Sequence, residues 1–146
     1  PSTIDMWNSI DLNIRQQSTV CGFKNELKSI SPKDKVVPHY LHGNRYLSVL
    51  HARIRSNCSN LNEDLYHNHL TLNLYCACSN DVENATHFFF ECDLHREHRI
   101  ELFRQTREFH PLNISKLLFG DNNLSTEQNV NIFTAVHQFI RKTKRF

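Results

Sequence analysis

Apolar positions along this chain recur mostly at three- and four-residue intervals, which predicts helices rather than strands. Trp7, Ile10 and Ile14 keep that spacing, as do Val20, Phe23 and Leu27, with Ser18-Thr19 placed to cap the second helix. Pro32 and Pro38 then frame the charged run Lys33-Asp34-Lys35, so residues 30–38 read as a linker. Gly43-Asn44 opens a helix with Tyr46, Leu47, Leu50 and Ile54 on one face and Arg45, Arg53 and Arg55 off it. Ser59-Asn60 breaks the pattern, and residues 61–69 form a short helix carrying Leu61 and Leu65.

Leu70, Leu72 and Leu74 alternate with Thr71 and Asn73, the period of a short strand. Ser79-Asn80-Asp81 offers cap candidates for a helical turn carrying His87, Phe88, Phe89 and Phe90. Asp93 is placed to cap a further helix reaching about Phe109, ended by His110-Pro111. Residues 114–119 make a short apolar element closed by Gly120-Asp121. Ser125-Thr126-Glu127-Gln128 matches a capping box and starts a last helix with Val130, Phe133, Val136 and Ile140 inward. Arg141, Lys142, Lys144 and Arg145 fall in its final turns, where cations complement the helix dipole. The expected fold class is mostly α: a small helical domain organised around a metal knuckle, with at most a short strand or hairpin. Residues 1–38 form a helical N-terminal segment and linker, and residues 39–146 the knuckle domain.

Composition agrees with this picture. Only three Gly and four Pro in 146 residues leave few tight turns, and 39% hydrophobic content is enough for a core. No stretch approaches the roughly 18 apolar residues of a membrane span, so no membrane partner is expected. The chain opens on Pro1 rather than Met, and is expected to be a fragment or a processed piece. Net charge is +2, but unevenly spread. Residues 1–60 hold 8 Lys/Arg against 4 Asp/Glu, residues 61–131 hold 5 against 11, and residues 132–146 hold 4 against none. Two basic ends flank an acidic middle.

Five cysteines is an odd count, and three of them sit with a histidine at metal spacing. That favours intracellular thiol chemistry, in nucleus or cytoplasm, over a secreted disulfide framework. The spacing is Cys76-x-Cys78-x8-His87-x4-Cys92. Zn2+ favours four such donors in a tetrahedron, and a Cys3His set is closed, leaving no position for water or substrate. The expected role is therefore a structural cofactor. His87 and Cys92 are about one and a half helical turns apart, so they meet on one side only if the helix loosens or ends near Cys92. The competing reading is ordinary: buried free thiols and a core histidine. Cys21 and Cys58 are expected to be buried free thiols, and His95 and His98 alternative ligands or, more simply, helix-surface residues.

No nucleophile–base–acid set stands out, and there is no glycine loop for phosphates and no adjacent acidic pair for two-metal chemistry. The chain is expected not to be an enzyme by itself, and no small-molecule substrate suggests itself. Arg96, Arg99, Arg104 and Arg107 alternate with Glu97, Glu101 and Glu108, as on a solvated, salt-bridged helix face. Candidate contacts to RNA or DNA are Arg45, Arg53 and Arg55 in one cluster and Arg141, Lys142, Lys144 and Arg145 in another; adjacent in the fold, they would form a stripe.

Several segments together resemble the C-terminal region of reverse transcriptases from non-LTR, LINE-like retrotransposons. Trp7-Asn8-Ser9-Ile10 with Leu12-Asn13-Ile14-Arg15, and Phe23-Lys24-Asn25-Glu26-Leu27-Lys28, are similar to the segments that follow the polymerase core in that family. Gly43-Asn44-Arg45-Tyr46-Leu47 and Leu50-His51-Ala52-Arg53-Ile54-Arg55 resemble the stretch before its knuckle. The spaced set Cys76, Cys78, Glu83, His87, Cys92 and Arg99 looks like the knuckle, and residues 120–125 like the turn before the last helix. Ser79 stands where that family often has Gly, and Asp11 where it usually has Pro. The resemblance implies a zinc-binding accessory domain that helps a reverse transcriptase hold template RNA or target DNA. The polymerase signature Phe/Tyr-x-Asp-Asp does not occur in these residues. The alternative is a protein-interaction or packing module with structural zinc and no nucleic-acid binding, docked on the polymerase core or on a partner through an apolar patch involving Phe88, Phe89 and Phe90.

Overall fold

The computed structural model describes residues 38–78 and 81–146. The chain divides into two units, Pro1–Val36 and Val37–Phe146, and all described residues lie in the second. The helices expected before residue 30, the linker after them and Cys21 lie outside the described residues. The described part is mostly helical, as its apolar spacing requires. It holds α1 (Arg45–Arg55), α2 (Asn62–His67), α3 (Arg96–Gln105), α4 (Ile114–Phe119) and α5 (Thr126–Thr143), with short 3-10 turns between.

Helix α5 is the spine. Ser125 Oγ accepts the Gln128 N–H while the Gln128 side chain accepts the Ser125 N–H, so the expected capping box is formed. Ile132, Phe133, Val136, Phe139 and Ile140 are buried at helical spacing, and Val130 is half-buried at the margin. This stripe packs against α3 and α1, with α4 and the turn Pro38–Leu41 closing around it. Helix α1 starts where the sequence places it, with Asn44 Oδ1 accepting the Tyr46 N–H at 2.9 Å. Leu50 and Ile54 face the core and Leu47 packs at its edge, whereas Tyr46 is exposed.

The turn between α4 and α5 depends on Gly120. Its φ of +79° favours glycine, and a Cβ would lie 2.6 Å from Asn129 Oδ1 and 2.8 Å from His39 Nε2. Buried Asn129 uses that close approach: its Oδ1 accepts the Asp121 N–H at 2.8 Å and its Nδ2 donates to the Asp121 carbonyl at 3.0 Å.

Several expectations change. Leu70 to Tyr75 form no strand: the one pairing there is an isolated bridge between Tyr75 and Val82, and Leu70 and Leu72 are exposed. Alternation signals a strand only when a partner covers one face, and among the described residues none does. Asp93 starts a 3-10 turn (Asp93–His95) instead of capping α3, and a second such turn (Arg107–Phe109) finishes the segment. Arg99 and His95 are buried rather than on a solvated face, while Arg104 does form the expected surface pair with Glu101 at 2.8 Å. Cys58 is exposed, not buried. Phe88 and Phe89 are buried and Phe90 half-buried, so they fill the core instead of forming an outward patch.

Three histidines are built into the core around Phe133. His51 is 1% exposed, and its Nε2 lies 3.1 Å from the Leu117 carbonyl oxygen. A carbonyl only accepts, so Nε2 carries the hydrogen. His39 Nε2 meets the Phe119 carbonyl in the same way at 3.1 Å, and the His137 ring lies edge-on to His51 at 5.4 Å. Burial, with the neighbouring His137 and Arg55, pushes His51 down to about 3, so it is neutral in the fold. The unfolded chain therefore takes up a proton on His51 that the folded chain refuses. Its contribution is fully present above the unfolded value of 6.5 and is lost as pH falls towards about 3. At about 1.4 kcal/mol per pH unit, stability should drop by about 2 kcal/mol between pH 7 and pH 5 from this group alone. Urea unfolding of wild type and His51→Gln at both pH values checks this. The variant should lose about 2 kcal/mol less over that interval; equal losses would reject it.

Candidate metal centre

The donors lie on two local structures, each held by backbone hydrogen bonds. Cys76 and Cys78 sit on a narrow knuckle closed by the Cys76 N–H to the Asp81 carbonyl and the Glu83 N–H to the Leu74 carbonyl, both at 2.9 Å. His87 follows a short helical turn capped by Asn84, whose Oδ1 accepts the His87 N–H at 2.8 Å. Of the cap candidates 79–81, Asp81 is the described one, and its Oδ1 instead accepts the Val82 N–H at 2.7 Å.

Residues His87–Glu91 form a π turn, closed by the Cys92 N–H donating to the His87 carbonyl at 2.8 Å. In a regular α-helix, residues five apart point roughly 140° away from each other. The wider π turn brings them back toward one side, so Cys92 arrives beside His87. The loosening that the x4 gap demands is this turn.

Cys76, Cys78, His87 and Cys92 place one donor atom each within 4.8 Å of one another. Cys76 Sγ lies 3.6 Å from Cys92 Sγ, and Cys78 Sγ lies 3.2 Å from His87 Nε2. An ideal tetrahedral zinc has sulfurs about 3.8 Å apart and sulfur and nitrogen about 3.6 Å apart, given its bond lengths. These two distances fall within a few tenths of an ångström of that geometry. Cys76, His87 and Cys92 are buried and Cys78 half-buried. Burial pushes the Cys76 thiol up to about 12 and raises Cys92 as well. Such thiols stay protonated at neutral pH unless a cation displaces the protons. The four residues thus form a cluster able to coordinate a metal ion. His95 and His98 are not members of it.

Three further residues support the cluster. The Glu83 carboxylate, 4% exposed, takes both Nε and Nη2 of Arg145 at 2.6 Å and accepts the Asn62 N–H at 3.0 Å. Arg145 also donates to the Asn60 carbonyl at 2.9 Å. Buried Arg99 donates to the Cys92 carbonyl at 3.0 Å and to the Glu91 carbonyl at 3.4 Å. A divalent ion on three thiolates is net −1, and Glu83 adds another negative charge. Arg99 and Arg145 bring two positive charges, so the buried group is close to neutral, which low-dielectric surroundings demand. Glu83 and Arg99 belong to the spaced pattern around the knuckle. Arg145 gave no sequence signal beyond its place in a basic tail.

The basic candidates separate into two kinds. Arg45, Arg53, Arg141, Lys142 and Lys144 are exposed. Arg55 is committed internally, donating to the Leu118 carbonyl at 3.0 Å with its guanidinium 4.0 Å over the Tyr40 ring. Arg145 is committed to Glu83. Arg141 and Lys144 line a groove of about 340 Å³ with Asn44, Tyr46, Leu47 and Phe146, at the start of α1; Arg45, Arg53 and Arg55 do not line it.

No family model, no curated protein and no solved structure matches this chain. The likeness to LINE-like reverse transcriptases therefore rests on the motif residues alone.

Proposed function

We propose that this domain is a non-catalytic module held together by one structural Zn2+, whose role is to pack against a protein partner. The observation that carries this reading is the closed set of four protein donors, with the core residues Phe88 and Phe89 between two of them. Thiolate and imidazole donors in a tetrahedron suit Zn2+, and four of them leave no open position for substrate. Phe88 and Phe89 follow His87 without a break, so metal binding and core packing are one event. When bound, the ion supplies cross-linking and charge, not chemistry.

Docking on protein is supported by exposed apolar side chains on the knuckle side of the chain. Leu70, Leu72 and Tyr75 are exposed by more than half. The retrotransposon resemblance suggests the reverse transcriptase core of the same polypeptide as the partner. Contact with RNA or DNA is the second reading, favoured by the groove that joins Arg141 and Lys144 to the start of α1. Arg55 and Arg145, which are used internally, are not available to it.

Metal analysis of protein purified under reducing conditions should return one zinc per chain. A zinc-free but fully folded protein would overturn the reading. A salt titration with RNA and DNA on the same sample separates the two partner classes. Protein docking predicts no measurable binding. Affinity that falls steeply between roughly 50 and 200 mM salt, and is lost on charge reversal at Arg45, Arg53, Arg141 and Lys144, would establish the second reading instead.

A further inference from the structure

His87 belongs to two donor groups at once. Its Nε2 faces Cys78 Sγ, inside the Cys3His cluster. Its Nδ1 lies near Glu91, and one donor atom each of Asp81, His87 and Glu91 also lie within 4.8 Å of one another. Nδ1 is buried and, among the described residues, has no hydrogen-bond partner. A buried N–H left unpaired is destabilising, so an acceptor is called for. The nearest charged one is Glu91 Oε2 at 3.7 Å, just beyond hydrogen-bond reach. Glu91 sits one π turn after His87, and its side chain is 53% exposed, free to change rotamer and close that gap. Asp81 is less able to serve, because its Oδ1 already accepts the Val82 N–H.

Asp81, His87 and Glu91 could be taken for a second metal site. A cation on Nδ1 would require the imidazole to bridge two ions and lose its last proton. A hydrogen bond uses the proton that Nδ1 already carries when Nε2 is a ligand. The same outward carboxylate that makes a poor second site makes a good support for the first.

We infer that Glu91 is a positioning residue for the metal: it accepts the His87 Nδ1–H, fixes the tautomer that leaves Nε2 to the ion, and holds the ring in the plane of coordination. The inference rests on the zinc reading above. Carboxylate partners of this kind make a ligating imidazole more basic, and their loss weakens metal binding about 10- to 100-fold.

Competition with a chelator of known zinc affinity, on the full chain at neutral pH, reads the effect. Glu91→Ala should bind zinc about tenfold more weakly or worse. Glu91→Gln, whose amide oxygen still accepts, should lose less. Asp81→Asn should stay near wild type. The Glu91 side chain is exposed, so its variants should fold as wild type when zinc-loaded. Nitrogen NMR of the His87 ring in the zinc-loaded wild type gives a second measure: Nδ1 protonated and Nε2 coordinated. Unchanged affinity in Glu91→Ala, a larger loss in Asp81→Asn than in Glu91→Ala, or coordination through Nδ1 would each overturn the assignment while leaving the zinc site standing. A wild type that takes up no zinc would overturn the site itself, and this inference with it.

Discussion

Cys92→Ser is expected to abolish zinc binding and unfold the domain. The serine hydroxyl is a poor zinc ligand at neutral pH, and the site it would occupy is 1% exposed. Structural zinc contributes about 10–16 kcal/mol in small metal-folded peptides, against a net stability of about 5–15 kcal/mol for a whole domain. Even a fraction of that loss exceeds what the helices retain. The geometry says where the failure starts. Releasing His87 and Cys92 frees the π turn, and with it Phe88 and Phe89. Phe88 packs edge-on against Phe89, Phe139 and Phe146 at 5.0–5.4 Å, so its departure opens the end of α5. Circular dichroism with zinc or with excess chelator checks this. Wild type should lose most of its helical signal on chelation and regain it with zinc, and Cys92→Ser should look chelated throughout. Cys58→Ser, at an exposed thiol, should behave as wild type. Melting of the wild type that ignores the chelator would sink the idea.

Arg145→Ala carries the second-largest expected loss, about 3 kcal/mol. Removing one partner of a buried ion pair typically costs 3–5 kcal/mol, because the other charge is left unpaired. Arg145 is 27% exposed and partly screened, which places it at the low end, but Glu83 is 4% exposed and would have no counter-ion. Burial alone raises Glu83; the Arg145 guanidinium and the Asn62 N–H outweigh it and hold the carboxyl below its ordinary range. In wild type this contribution is present above the unfolded value near 4.5 and is lost as pH falls from there through the lower folded value. Without Arg145, burial is less opposed and Glu83 takes up a proton more readily. The penalty of Arg145→Ala should therefore be largest near pH 7 and smaller near pH 5. Arg145→Lys should rescue only in part, since an ammonium cannot span both carboxylate oxygens and the Asn60 carbonyl. Denaturant titrations at both pH values measure this. A penalty that does not change with pH would show that lost packing, not the stranded carboxylate, is responsible.

Much of the metal cluster was legible because it is local. Four donors within 17 residues state the chemistry of the site before any fold is known. The x4 gap between His87 and Cys92 even demanded a loosened helix, and the π turn supplies it. The starts of α1 and α5 were readable for the same reason: Asn44 and Ser125 cap through hydrogen bonds to residues two or three positions on.

The misreadings of charged residues share one cause. A long charged side chain has no pattern that says whether it faces water or folds inward. Arg99 sits among surface residues in the sequence, yet it reaches back to the Cys92 carbonyl. Arg55 and Arg145 belong to basic clusters, yet each is spent on a partner more than 60 residues away. Leu70, Leu72 and Leu74 alternate like a strand, but a strand needs a neighbour that alternation cannot provide.

The sequence by itself determined the helical fold class, the caps of α1 and α5 and the four candidate ligands, all set by groups a few residues apart. Only the tertiary structure decided which cations neutralise the metal centre, which remain free for a partner, and which face of His87 needs a carboxylate. Those depend on through-space charge and burial between distant segments, and no spacing along the chain encodes them.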